Sequence, residues 1–174
     1  MTSILRATEE DSLCLSELSK QTLLESHGRS APKEDMDLYI ALKYNEETIK
    51  AELRNPANIY HLLYYNDELV GFSKIILNVP YKEGVEKKMS KLDRIFILKK
   101  VYDLKLGVEL LTFNLNFMKL HHQTGVWLFA WTENERAIKF YKRNGFVIVG
   151  SHNFKISENH RNPNHQMFLD FTKE

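Results

Sequence analysis

Apolar and polar positions along this chain follow two periods. Runs with a period near two residues predict strands, and runs with a period near 3.6 residues predict helices. The predicted strands are Ser3–Ala7, Ile59–Tyr65, Leu69–Leu77, Lys91–Leu98, Val126–Trp131, Phe146–His152 and Gln166–Phe171. The predicted helices are Thr8–Ser26, Lys33–Arg54 (in two pieces around Tyr44 and Asn45), Gly107–His121 and Asn134–Asn144.

The order of these elements predicts how the sheet is built. It reads β-α-α-β-β-β-α-β-α-β-β, and its second half alternates strand, helix and strand. Such a crossover is nearly always right-handed and makes the strands that it joins parallel. We therefore predict an α/β fold, in which a central mixed β-sheet of about seven strands carries helices on both faces. No repeat divides the chain, and its 174 residues fit a single domain over residues 1–174.

Short polar segments mark the turns between elements. Asn66-Asp67-Glu68 predicts a tight hairpin between two strands. Gly145 suits the left-handed conformation that ends many helices. Pro80–Ser90 and Ser157–Asn164 are charged or polar and predict loops.

Composition and charge exclude several classes of protein. The chain is 43% apolar and 27% charged, as in an ordinary globular domain, and its formal net charge is +1. So small a charge argues against a nucleic-acid-binding protein. No apolar run reaches the length of a membrane span, and the first residues lack the apolar stretch of a signal peptide. We expect a cytoplasmic protein without nucleic-acid or membrane partners, and the single cysteine, Cys14, allows no intrachain disulfide.

One strand–turn–helix segment has the features of an anion site. The strand Lys91–Leu98 ends, a polar turn follows, and a helix begins near Gly107. The first N–H groups of a helix lack partners within it and can bind a pyrophosphate. Lys99, Lys100 and Lys105 add positive charge at this turn. Taken alone, the segment slightly favours an ordinary turn with solvated lysines.

A second segment resembles a motif of the GNAT acetyltransferases, N-x-x-A-x-x-F-Y-x-x-x-G-F. The residues at its fixed positions are all present: Asn134, Ala137, Phe140, Tyr141, Gly145 and Phe146. At the expected distance upstream, Arg94-Ile95-Phe96-Ile97-Leu98 resembles the R-I-Y-V strand of that family. The order of elements is similar to the GNAT fold over nearly the whole chain.

The resemblance implies that acetyl-CoA is the cosubstrate and that its acetyl group passes directly to a primary amine. The implied cofactor-binding residues are Ile97, Lys99, Tyr102, Leu104, Lys105, Leu106, Gly107, Val108, Asn134, Ala137 and Tyr141. The family turn usually begins with Gln or Arg and has glycine at its fourth position. Here Tyr102 and Lys105 stand at those positions, and only the final glycine, Gly107, remains. Such a turn binds mainly through main-chain N–H groups, so the substitutions need not abolish binding. We expect CoA to bind at this turn with a weaker or altered affinity.

The resemblance also implies the catalytic residues. Tyr141 would protonate the leaving thiolate, a role that suits a phenol of pKa about 10. Asp93 matches an acidic position of the family and would take the proton of the amine, directly or through water. An ion-paired structural carboxylate explains Asp93 equally well, and His152 is a second candidate base. His121 and His122 are adjacent on a helix and do not face each other, so we expect no metal site.

Within the superfamily, the chain resembles the PaiA-type polyamine N-acetyltransferases, which act on spermidine and spermine. The similar stretches are Gln21–Leu24, Pro32–Leu53, Leu92–Ile97 and Gly150–Phe154. The acidic side chains of the second stretch either attract a polycation or form a solvated helix face. They are Glu34, Asp35, Asp37, Glu46, Glu47 and Glu52.

Other interpretations remain open. The acceptor is alternatively a peptide N-terminus, a protein lysine or an aminoglycoside. The altered turn at Tyr102 to Gly107 also allows a degenerate module that binds CoA or a partner without catalysis, although Asn134 and Tyr141 argue against it. A homodimer is compatible with the sheet edges and with Phe113, Phe117 and Trp127, which are core residues by default.

Overall fold

The computed structural model describes residues 1–83 and 88–173. The strands of these residues are β1 (Thr2–Arg6), β2 (Asn58–Tyr65), β3 (Glu68–Ile76), β4 (Met89–Ile97), β5 (Gly125–Trp131), β6 (Val147–Lys155) and β7 (Arg161–Asp170). The helices are α1 (Ser12–His27), α2 (Lys33–Lys43), α3 (Glu46–Arg54), α4 (Leu106–Leu120) and α5 (Glu135–Arg143), with short 3₁₀ segments at Glu9–Asp11 and Lys99–Leu104.

The strands form one sheet in the order β1-β2-β3-β4-β5-β7-β6. Neighbouring strands are antiparallel except β4 and β5, which are parallel because α4 carries the chain across between them. This confirms the predicted α/β fold with a mixed sheet of seven strands. The predicted second helix is two helices, α2 and α3, and Asn45 caps the second by accepting a hydrogen bond from the Thr48 N–H at 2.8 Å.

Two clusters of buried apolar side chains make up the core. One packs α1, α2 and α3 on β2 and β3, with Leu15, Ile49 and Phe72 fully buried. The other packs α4 and α5 on β4, β5 and β7, around Leu111 and Val126. Each such side chain contributes about 1.5–3 kcal/mol by leaving water. These clusters hold in place β4 and β5, the interior strands between which a cleft opens.

Two predicted turns are confirmed by their main-chain angles. Asn66 and Asp67 have φ of 49° and 62°, so they form the two-residue hairpin turn that joins β2 to β3. Gly145 has φ of 87° directly after α5, a conformation that costs glycine little. Both predictions succeeded because the signal lies in the turn residues themselves.

The predicted loop Ser157–Asn164 is wrong in its second half, because β7 already begins at Arg161. Two of its polar residues, Asn162 and Asn164, are buried, and the Asn162 amide donates to Ser30 Oγ at 2.8 Å. In the sequence, a polar strand residue whose hydrogen-bond partner is far along the chain looks the same as a loop residue. In the other predicted loop, Pro80–Ser90, residues 84–87 lie outside the described residues, and β4 begins within it at Met89. In the described chain, no helix combines the length and the apolar character that a membrane crossing needs.

Candidate active site

A cleft opens where β4 and β5 separate. Within the described chain, the two strands pair at Met89 with Gly125, Ser90 with Val126, and Lys91 with Trp127, and then diverge. The wedge between them leads into a cleft of about 980 Å³. Its walls are the remainder of both strands, the end of α1, the start of α4 and one side of α5. The separation leaves the main chain of residues 92–97 without a strand partner on the β5 side.

A β-bulge shapes the β4 wall. Lys74 of β3 pairs with Arg94, but the next residue, Ile75, pairs with Leu92, so Asp93 is the extra residue. A bulge bends its strand and redirects side chains. Asp93 and Arg94 both line the cleft, together with the rest of Lys91–Ile97.

These residues belong to a group of polar side chains on the floor of the cleft, which we term the cleft cluster. Its members are Glu52, Tyr60, Lys74, Lys91, Asp93 and Arg94. Arg94 donates two hydrogen bonds to Glu52, at 3.0 and 3.1 Å. Lys74 Nζ joins the carboxylates of Glu52 and Asp93, at 3.0 and 3.1 Å. The floor thus brings three cations to two carboxylates.

Asp93 is held by these cations. Its oxygens lie 2.7 Å from Lys91 Nζ and 3.1 Å from Lys74 Nζ. Burial by itself would raise the pKa of Asp93, but Lys74, Lys91 and Arg94 outweigh burial and hold the pKa at about 2. The carboxylate is therefore charged and weakly basic. Its role as the catalytic base stays a prediction.

The α4 wall begins with a residue in an unusual conformation. Lys105, between the 3₁₀ segment and α4, has φ of 60° and ψ of 11°, the left-handed region that glycine enters freely. Its carbonyl accepts the N–H of Val108 at 2.9 Å, which starts the helix. A Cβ built on Gly107 would lie 3.5 Å from Ile97 Cδ1 and 3.7 Å from Phe140 Cε2. A side chain at Gly107 would therefore fill the gap between β4 and α5.

The α5 wall carries the residues of the Asn134–Phe146 motif. The Asn134 side chain caps α5 by accepting the Ala137 N–H at 3.1 Å. Tyr141 is 8% exposed and lines the cleft, and its ring packs on Phe140 and Phe146. Burial raises the pKa of Tyr141 above its usual range. Its hydroxyl has no hydrogen-bond partner among the described residues, so it is protonated and available.

The structure adds a contact across the cleft that sequence reasoning missed. The guanidinium carbon of Arg136, on α5, lies 3.3 Å from the ring centroid of Tyr102, in the 3₁₀ segment before α4. Both residues line the cleft. The sequence held no signal for this pair, because the two residues lie on different elements with β5 between them.

His27 at the end of α1 is a second residue that sequence reasoning missed. Its ring lies between Phe96 of β4 and Trp131 of β5, with centroids 5.8 and 5.9 Å away. Ser26 donates its one hydroxyl proton to a main-chain carbonyl at 2.7 Å, so His27 Nδ1, 2.7 Å from Ser26 Oγ, carries the hydrogen. Burial lowers the pKa of His27 to about 4. A neutral ring with a bare Nε2 therefore stands at the cleft.

Many of the predicted cofactor residues lie together in the cleft. They are Ile97, Tyr102, Lys105, Gly107, Val108, Asn134, Ala137 and Tyr141. Lys99, Leu104 and Leu106 do not line it. The Lys99 N–H is donated to Glu25 at 2.7 Å, and the Leu106 side chain is buried in the core.

The other predicted groups lie elsewhere. Of the acidic residues in the second PaiA-like stretch, none lines the cleft, and Glu52 is used in the ion pairs beneath it. His152 lies on β6 and stacks on Phe129 at 4.4 Å. Across residues 1–83 and 88–173, no three His, Cys, Asp or Glu side chains gather as metal ligands would.

Comparison with known proteins agrees with this geometry. A model of the acetyltransferase (GNAT) family matches residues 20–146, which is more than half of the chain. An uncharacterized N-acetyltransferase in the pepI 3′ region of Lactobacillus delbrueckii subsp. lactis is 24% identical over 155 residues, covering 89% of this chain and 90% of that protein.

Solved structures share the fold. The PaiA N-acetyltransferase from Thermoplasma acidophilum, solved in complex with coenzyme A, superposes with a TM-score of 0.79 at 18% identity, over 98% of this chain and 99% of that chain. A SpeG spermidine N-acetyltransferase chimera from Vibrio cholerae and hSSAT gives a TM-score of 0.69 at 15% identity, over 99% and 96%. At these identities the likeness establishes the architecture.

Proposed function

The chain belongs to the acetyltransferase (GNAT) family and is an N-acetyltransferase that uses acetyl-CoA, and on that premise we propose that it acetylates a polyamine such as spermidine or spermine, in the cytoplasm, by direct transfer in the cleft between β4 and β5. The observation that carries the proposal is the separation of these two strands beside a protonated, unpartnered tyrosine. It supports a donor edge, a proton donor and an open acceptor space in one cleft.

The residues of the cleft fit the acetyl donor. The unpaired main chain of residues 92–97 offers N–H and carbonyl groups to the amides of a pantetheine arm. The first N–H groups of α4, which begins after Lys105, suit its phosphates. Because Gly107 leaves the gap between β4 and α5 open, the arm can approach the main chain there.

Tyr141 is the proposed proton donor. As the amine attacks the thioester, the C–N bond forms and the C–S bond breaks. Tyr141 gives its hydroxyl proton to the departing sulfur and prevents the build-up of thiolate charge in an apolar wall. The raised pKa of Tyr141 keeps that proton in place until transfer.

Asp93 is the proposed acceptor of the amine proton, directly or through a water molecule. An ammonium group does not yield its proton readily to a carboxylate of pKa about 2. The ammonium must therefore lose one proton to solvent before its nitrogen can attack, while the Asp93 carboxylate holds the amine in position by charge. Once the nitrogen bonds to the acyl carbon it becomes far more acidic, and its surplus proton then passes to Asp93, directly or through a water molecule.

Aromatic side chains in the walls of the cleft support a polyamine acceptor. Tyr39, Phe129 and Phe154 line it, and aromatic faces attract alkylammonium groups. The likeness to the PaiA and SpeG structures points to the same class of acceptor. Lys91 and Arg94 act in the opposite direction, since they would repel a polycation and favour an amine that carries an acid group.

Release of free thiol from acetyl-CoA tests the proposal across spermidine, spermine, short peptides, aminoglycosides and amino acids. We expect turnover with the polyamines and a loss of about 100-fold in kcat for Tyr141→Phe. Tyr65→Phe, the same change outside the cleft, is the matched control and should keep wild-type rates.

Each other result has a definite meaning. Preference for an amino acid or a peptide would overturn the polyamine assignment and keep the transferase. Full activity of Tyr141→Phe would remove the assigned proton donor. No turnover with any amine, and no binding of CoA by calorimetry, would make the chain a binding module on an enzyme fold.

A further inference from the structure

Arg136 and Tyr102 both line the cleft and contact each other. Arg136 is the second residue of α5, and Tyr102 lies in the 3₁₀ segment that leads into α4. Their contact, 3.3 Å from guanidinium carbon to ring centroid, joins the two helical walls. Tyr102 stands where the family turn usually has a Gln or Arg. This wall therefore lacks the usual polar side chain, and Arg136 lies on the opposite wall.

Three cations of the cleft have no carboxylate partner within the described chain. They are Lys105, Arg136 and Arg143. The neighbouring Lys139 differs, because its Nζ lies 2.9 Å from Glu135. Lys105 directly precedes α4 and Arg136 contacts Tyr102 beside it, and cations without carboxylate partners around a helix N-terminus favour a ligand with several negative charges.

The contact with Tyr102 occupies only part of Arg136. The ring and hydroxyl of Tyr102 both interact with the guanidinium, which carries five N–H groups and so keeps donors for a ligand. The ring also restricts the long side chain, so less freedom is lost when a ligand binds. Arg136 is thus both available and positioned.

We propose that Arg136, positioned by Tyr102, binds a phosphate group of the acetyl donor and takes the place of the contacts that the altered turn has lost. The inference rests on the proposed function, because it requires acetyl-CoA in this cleft. Arg136 is the binding residue, and Tyr102 is a positioning residue that acts through it.

The test compares two acetyl donors, acetyl-CoA and S-acetylpantetheine, which lacks the nucleotide and its phosphates. Loss of a charged hydrogen bond in Arg136→Ala should lower kcat/KM for acetyl-CoA about tenfold or more. The effect should appear as a higher KM with kcat unchanged. With S-acetylpantetheine the variant should match wild type. Lys142→Ala removes one charge from the same helix outside the cleft and is the matched control.

Tyr102 variants test the positioning role. Tyr102→Phe keeps the stacking face and should retain the wild-type KM for acetyl-CoA. Tyr102→Leu removes that face and should raise the KM, again with S-acetylpantetheine unaffected. In Arg136→Ala, the further change Tyr102→Leu should add little, because Tyr102 acts through Arg136.

Several outcomes would overturn the inference. Equal KM values in wild type and Arg136→Ala would do so, as would equal losses with both donors or a loss in Lys142→Ala as large as in Arg136→Ala. In each of those cases the wild-type enzyme still acetylates its amine, so the proposed function stands. If wild type neither binds CoA nor turns over, both proposals fail together.

Discussion

Two consecutive residues of β3, Ser73 and Lys74, point to opposite faces of the sheet and belong to two different buried polar groups. Lys74 lies in the cleft cluster. Ser73 lies on the α4 side with His61 and Asn114, a group that we term the neutral cluster. Because one strand contributes to both groups, they allow a direct comparison of how the two faces of the sheet bury polar side chains.

The neutral cluster satisfies itself. The Asn114 amide donates to Ser73 Oγ at 2.8 Å and to the Leu110 carbonyl at 2.7 Å, and its oxygen lies 2.9 Å from His61 Nδ1. None of its members lines the cleft. Its members are uncharged and hydrogen-bonded to one another, so burying them costs less free energy than burying ions.

The cleft cluster takes the costly alternative. Burying ions costs several kcal/mol each, and an apolar floor would often be as stable. Three of its members, Lys91, Asp93 and Arg94, also line the cleft. The contrast teaches that charge is buried on the face that opens into the cleft, and that the other face uses neutral hydrogen bonds.

The largest expected effect comes from opening the cleft cluster. Arg94→Met removes both charged hydrogen bonds that Arg94 donates to the partly buried Glu52, and should lower the free energy of unfolding by about 4 kcal/mol. Urea titration measures it. The same change in the exposed pair, Arg54→Met beside Glu9, should cost less than about 1 kcal/mol. Equal losses in the two variants would erase the distinction between buried and surface pairs.

The neutral cluster should respond in stability alone. Asn114→Leu strands His61 and Ser73 without partners and should cost about 3 kcal/mol of unfolding free energy. Acetyl transfer measured below the melting temperature should be unchanged, because the cluster lies away from the cleft. Asn116→Leu, on the exposed face of the same helix, is the control. A fall in kcat for Asn114→Leu would show that the two faces are coupled.

Asp93 should give the cleft cluster a signature in acid. As pH falls, the unfolded carboxyl, with pKa about 3.9, takes up a proton before the folded one, with pKa about 2. Asp93 therefore adds about 2 kcal/mol to stability above pH of about 4, and this is lost as pH falls toward about 2. Unfolding curves of wild type and Asp93→Asn should converge over that window. Parallel curves would contradict the assigned environment, and the exposed Asp103→Asn should follow wild type.

The smallest effect should come from His61 at milder pH. Burial lowers the pKa of His61, and the hydrogen bond that Asn114 Oδ1 accepts from His61 acts in the opposite direction. The unfolded state then binds more protons below pH of about 6.5, so stability falls as pH decreases from there. His61→Gln should show a shallower slope of stability against pH than wild type. His27 titrates in both proteins and cancels in the difference, and His122→Gln should keep the wild-type slope.

Local signals explain the successful predictions. The period of apolar residues located seven strands and their order, and the hairpin at Asn66 and Asp67 lies where two residues tolerate positive φ. The family resemblance of the segment from Asn134 to Phe146 lies in the identity and spacing of its own residues. In each case the physical cause lies within a few residues of the effect.

The remaining features depend on residues that are far apart. Asn162 looked like part of a loop because its partner, Ser30, is 132 positions away. The role of Asp93 among three cations depends on a bulge that appears only when β3 pairs with β4. Neither feature leaves a trace in local periodicity.

The sequence by itself determined the α/β order, the hairpin, the helix cap and the family motif, since turn chemistry and burial patterns act over short distances. Only the tertiary structure decided that β4 and β5 part after Lys91, that Glu52 meets Arg94 42 positions away, and that Arg136 rests on Tyr102. Those outcomes depend on which charges and rings share a low-dielectric cleft, and packing of the whole chain sets that.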